Sequence, residues 1–122
     1  MELCEEDKFF GQELILNCRA GNDAVCDKEK IQAFLNELIV DIEMEKEGDS
    51  DITHFGEGKL AGWTMLQKIK TSSIVFHFCD DTKNFYGNLF SCKKFSTIKV
   101  RDCVLKHFAP NLIQELTLNR GV

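Results

Sequence analysis

The stretch from Gly62 to Cys92, GWTMLQKIKTSSIVFHFCDDTKNFYGNLFSC, limits the fold more than any other, because it reads as three β-strands in immediate succession. Strands are predicted over Gly62–Ile69, Ser73–Cys79 and Asn84–Ser91, rich in β-branched and aromatic residues and separated by turn-forming runs. Connections this short join antiparallel neighbours. The same stretch carries Thr64, Ser72, His77 and Cys92, and nowhere else does the chain concentrate reactive side chains in this way.

The flanking segments supply the rest of a two-layer fold. Residues Met1 to Phe10 read as an acidic, irregular lead-in to a single domain over residues 1–122. From Gly11, GQELILNCRAG has apolar residues at both parities, which predicts a strand inside a sheet. Ile31, Phe34, Leu35, Leu38, Ile39 and Ile42 follow the spacing of one helical stripe, with Asp27 placed to cap the helix start. Glu43 to Glu47 reads as a short edge strand, and the Gly-rich HFGEGKLAG as a mobile loop. A second helix is predicted from Ser96 as N-cap to Pro110, and a final strand over Leu112–Leu118. Two helices on one face of a mostly antiparallel sheet make an α+β two-layer sandwich, with the other sheet face left uncovered.

Composition removes several functions. A net charge of −5 with scattered lysines disfavours nucleic acid, which requires clustered Lys and Arg. No apolar run approaches the roughly 20 residues that span a bilayer, and no signal peptide is evident, so a cytoplasmic location away from membranes is expected. Six cysteines include no CxxC pair and no His at zinc-finger spacing, so they read as reduced thiols with no metal site. Neither GxxxxGK[ST] nor GxGxxG occurs, which leaves phosphate binding unsupported.

The geometry of the central strands bears on how their reactive groups meet. If Cys79 pairs with Phe85 across the DDTKN turn, Cys92 falls opposite Ser72 on the same face. Five residues separate Ser72 from His77, about 16 Å of extended strand, and that spacing puts them on opposite faces. One chain's His77 does not then reach its own Ser72. If both serve one site, a homodimer with sites at its two-fold interface is the simplest arrangement.

TSSIVFHF followed by NLFSC resembles the small prokaryotic S-adenosylmethionine decarboxylases, pyruvoyl enzymes marked by a serine, a histidine five residues on and a cysteine fifteen beyond. Ser72, His77 and Cys92 keep those intervals, and Thr64 stands where the family has a serine shortly after a glycine, here Gly62. The resemblance extends from Gly11 to about Arg120, including the order of helices and strands.

That resemblance implies a self-processing enzyme. The Ser72 hydroxyl would attack the Thr71 carbonyl, the resulting ester would eliminate, and the Thr71–Ser72 bond would be cut. The pyruvoyl group left from Ser72 would hold the substrate amine as a Schiff base and accept electrons on loss of CO2. By position, His77 is the processing base, Thr64 the processing hydroxyl and Cys92 the proton donor. The implied substrate is S-adenosylmethionine, feeding spermidine biosynthesis. Phe55 is a candidate to stack on the adenine ring, and Asp81 to replace a family glutamate. The family has Glu where this chain has Thr71, and its His-Thr-Trp-Pro-Glu run reads His77-Phe78-Cys79-Asp80-Asp81. Those departures keep two alternatives open, a pyruvoyl decarboxylase of ornithine or arginine and a catalytically silent regulatory homologue.

Overall fold

The computed structural model describes residues 9–122, so most of the expected lead-in lies outside the described residues. The strands are β1 (Gly11–Arg19), β2 (Asp51–Phe55), β3 (Gly62–Ile69), β4 (Ser72–Phe78), β5 (Phe85–Ser91) and β6 (Leu112–Arg120). Helix α1 (Lys28–Asp41) lies between β1 and β2, and α2 (Thr97–Phe108) between β5 and β6. The strands form one sheet in the order β2-β3-β4-β5-β1-β6, with every pairing antiparallel. The expected α+β sandwich is borne out.

Alternation decides which side of each strand enters the core. On β4, Ile74, Phe76 and Phe78 are buried beneath the helices, whereas Val75 and His77 point to the other side. The α1 stripe buries Ile31, Phe34, Leu35, Leu38 and Ile39, and α2 adds Val100, Cys103, Val104 and Phe108. Phe34 meets the Phe76 ring at 5.2 Å and the Phe108 ring at 4.7 Å, both edge-on, so one aromatic joins both helices to the sheet. Gly87, opposite Phe76 on β5, leaves room for that ring, since a Cβ there would come within 2.6 Å of it.

The helix ends follow their sequence signals. The Asp27 carboxylate accepts from the Glu29 and Lys30 amides, and Ser96 Oγ accepts from the Lys99 amide. Helix α1 stops in a Schellman turn: Glu43 is left-handed (φ +58°), its amide bonds to Val40 O, and the Met44 amide bonds to Ile39 O. That turn drives Met44 inward, beneath the β3–β4 hairpin.

Two expectations need correction. The edge strand is Asp51–Phe55 rather than Glu43–Glu47, which contributes only a bridge from Lys46 to Ile69. His54 and Phe55 therefore lie in a strand, and a 3-10 turn over Gly58–Leu60 follows where a continuous loop was expected. The β4–β5 register also differs by one residue. Phe78 rather than Cys79 faces Phe85, and the turn closes on the Cys79 amide donating to Asn84 O. Lys83 (φ +59°) takes the left-handed position that shortens this turn. Ser91 thus lies opposite Ser72, and Cys92 comes opposite Thr71.

Candidate active site

Across the uncovered face, the register aligns Thr53, Thr64, His77, Tyr86, Asn17 and Gln114 in one row spanning all six strands. Within it Thr64 Oγ1 lies 3.2 Å from His77 Nδ1. The two-residue turn Lys70-Thr71 sets this pairing, because it fixes Ile69 against Ser72 and hence Thr64 against His77. Gly62, two residues before Thr64, lets the strands close at this end: a Cβ there would lie 1.8 Å from Phe78 O. A cavity of about 260 Å³ opens farther along the row, over β5, β1 and β6, lined in part by Asn17, Tyr86 and Gln114. Phe55, opposite Gly62, is exposed on the same face.

A second group of residues surrounds the hairpin turn at the other end of β4. The Cys92 amide donates to the Thr71 carbonyl at 3.0 Å. Ser91 Oγ donates to Thr71 Oγ1 at 2.8 Å, and Thr71 Oγ1 donates to Met44 Sδ at 3.4 Å. The Thr71–Ser72 peptide bond is therefore held from both sides, with its carbonyl oxygen already hydrogen-bonded. Ser72 is half-buried, and the Cys92 residue is exposed.

The four sequence-selected residues thus divide into two groups at opposite ends of β4. Thr64 and His77 meet on the uncovered face. Ser72 and Cys92 flank the turn about 16 Å along the strand, at roughly 3.3 Å per residue. Alternation puts Ser72 on the helix side with Ser91, so the opposite-face expectation for Ser72 and His77 stands, whereas the direct Ser72–Cys92 pairing does not.

Two partners escaped the sequence reading. Ser91 shows its role only through the corrected register. Asp80, rather than exposed Asp81, makes the polar contact near the β4–β5 turn: its Oδ2 lies 2.6 Å from His54 Nε2. Its Oδ1 is buried without a hydrogen-bond partner among the described residues. On the uncovered face, Glu13 is held below the usual carboxylate range by hydrogen bonds from Asn88 and then Arg120.

The profile of the family described as S-adenosylmethionine decarboxylase matches residues 12–121. A search of curated proteins finds no match. Among solved structures, the fold is similar to the crystal structure of the adenosylmethionine decarboxylase from Aquifex aeolicus VF5. That likeness has a TM-score of 0.79 at 17% identity, covering 94% of this chain and 93% of the other.

Proposed function

The chain belongs to the S-adenosylmethionine decarboxylase family, and on that premise we infer that it is a self-processing, pyruvoyl-dependent decarboxylase of S-adenosylmethionine, active as a homodimer. The observation that carries this reading is the division of the reactive residues into two half-sites at opposite ends of β4. A two-fold axis near Val75, midway along β4, brings the Thr64–His77 end of one copy over the Thr71–Ser72 end of the other. The surface around that axis suits such a contact: Leu66, Val75, Ile15 and Leu116 lie in one register row, interrupted only between Val75 and Ile15 by Asn88, with Leu66 and Leu116 exposed.

Processing uses groups the chain already orients. Addition of Ser72 Oγ to the Thr71 carbonyl puts negative charge on an oxygen that the Cys92 amide already holds. Collapse with C–N cleavage turns the amide into an ester. With Nδ1–H donating to Thr64 Oγ1, Nε2 of the partner's imidazole is free to take the Ser72 Cα proton, and Thr71 leaves as a carboxylate. Water then displaces the Ser72 nitrogen as ammonia.

Ser72 fits the role of precursor, because the cut falls at a two-residue turn and leaves the β3–β4, β1–β5 and β1–β6 ladders to hold the two fragments together. The pyruvoyl group supplies the electron sink for loss of CO2 from a substrate bound through its amine. Cys92, exposed beside that position, gives the proton that replaces CO2. Phe55 and Asp81, exposed at the far end of the sheet, are available to the adenine ring and to cationic groups of the substrate. The product would supply aminopropyl groups to spermidine synthesis. The described cysteines are free thiols, which supports a cytoplasmic setting.

Intact mass and CO2 release test the proposal together. The expected result is two fragments, residues 1–71 and an amino-blocked 72–122, with CO2 released from S-adenosylmethionine and not from ornithine or arginine. An uncut chain overturns the processing step, and CO2 from another substrate overturns the specificity.

A further inference from the structure

The helix layer, on the opposite side of the sheet from the Thr64–His77 row, holds a cluster that the proposed reaction does not use. Cys103 and His107 are spaced i, i+4 on α2, so they present their donors on one helix face. Glu37 of α1 packs against both: its Oε2 lies 3.7 Å from Cys103 Sγ and 3.1 Å from His107 Nε2. The three donor atoms all fall within 4.8 Å of one another.

The geometry points to a zinc-type divalent metal site at Glu37, Cys103 and His107. Zinc takes thiolate at about 2.3 Å and imidazole or carboxylate at about 2.0–2.2 Å, so tetrahedral ligands lie roughly 3.3–3.6 Å apart. The two separations to Glu37 Oε2 are already within a few tenths of an ångström of that spacing, and rotamer adjustment closes the third. One sulfur, one nitrogen and one oxygen donor form a set that suits zinc rather than calcium or magnesium, which take oxygen.

The surroundings hold the donors in place. Lys106 Nζ occupies Glu37 Oε1 at 2.7 Å, leaving Oε2 turned toward the cluster and offsetting part of the site's negative charge. The His107 ring stands edge-on to Phe34 at 5.6 Å, and the backbone carbonyl of His107 accepts from Asn22 Nδ2. Cys103 is buried and His107 half-buried, so the metal sits at the helix–helix seam with its fourth position open to water. On binding, the Cys103 thiol gives its proton to solvent. The bound ion clamps α1 to α2 across a separation of 66 residues. Metal-ligand patterns local in sequence do not reveal the site, because its third donor comes from another helix.

Cobalt(II) is the probe. Titrated into metal-free full-length protein, it should give a thiolate-to-metal charge-transfer band that saturates at one equivalent and disappears on addition of zinc. The band should vanish in Cys103→Ser, and affinity should fall at least tenfold in His107→Gln and Glu37→Gln, whose partly exposed side chains allow the fold to persist. Zinc should raise the Tm of the parent chain and not that of His107→Gln. Absence of a saturable band, its survival in Cys103→Ser, or unchanged affinity in both Glu37→Gln and His107→Gln overturns the site.

Discussion

The two faces of the sheet are built from alternate residues of the same strands, yet they have different uses. On the helix side, Phe34, Phe76 and Phe108 interlock, and the central strands bury Leu14, Leu16, Ile74, Phe76, Phe78, Phe85 and Leu89 against them. On the other side a polar row carrying Thr64 and His77 runs beside a mixed row in which Leu66, Val75, Ile15 and Leu116 are joined by Asp51 and Asn88. The first pattern closes a core within one chain. The second pairs orienting polar groups with apolar surface that the described residues leave uncovered, as expected of a face completed by another copy.

Substitutions that affect one face and spare the other test this contrast. The largest stability effect is expected from Phe76→Ala, which leaves a cavity between both helices and β4. It should cost about 3–5 kcal/mol in denaturant unfolding. Leu66→Glu should cost the monomer only about 0.5 kcal/mol, yet convert dimer to monomer by light scattering and stop cleavage with it. A penalty for Leu66→Glu as large as that for Phe76→Ala would mean that the uncovered face is closed within the chain.

Alkaline pH should act on the covered face alone. Burial, then the Glu115 charge, pushes the Cys18 thiol up to about 12. Above its unfolded value near 9, the unfolded chain loses a proton that the folded chain retains. The Cys18 contribution therefore favours the folded state at neutral pH and is lost as pH rises from about 9 to about 12. The Cys18 share of the slope is at most roughly 1.4 kcal/mol per pH unit; Cys103, which burial also pushes up to about 12, adds its own, so Cys18→Ala should reduce the slope of the unfolding midpoints rather than abolish it. The smallest effect concerns the turn. Removing the Ser91 hydroxyl, which bonds to Thr71, should slow cleavage about five- to tenfold, the equivalent of one hydrogen bond near 1 kcal/mol. Unchanged cleavage in Ser91→Ala would leave that bond a purely structural one.

The helices were legible because their signals are redundant: a six-residue stripe, capping side chains at Asp27 and Ser96, and Pro110 just beyond α2. The edge strand was not legible, since Ile52 is its only buried residue and four exposed neighbours give no alternation to read. The β4–β5 register was missed by one residue because Lys83, rather than a glycine or asparagine, takes the left-handed turn position. At the candidate site, residue types and spacing singled out Thr64, Ser72, His77 and Cys92. The separation of Ser72 from His77 follows from their spacing, whereas the meeting of Thr64 with His77 needs the register, and the contribution of Ser91 and of the Cys92 amide depends on which residue stands opposite Thr71.

Co-expression of two inactive variants tests the shared site most directly. Neither Ser72→Ala nor His77→Ala should be cut when made alone. Made together, each mixed dimer unites the intact Ser72 of one chain with the intact His77 of the other, and mass spectrometry should show the His77→Ala chain cut at Thr71–Ser72 while the Ser72→Ala chain stays whole. If no chain is cut in the mixture, or if His77→Ala alone matures normally, the imidazole of a second copy does not serve the Ser72 bond and the account fails.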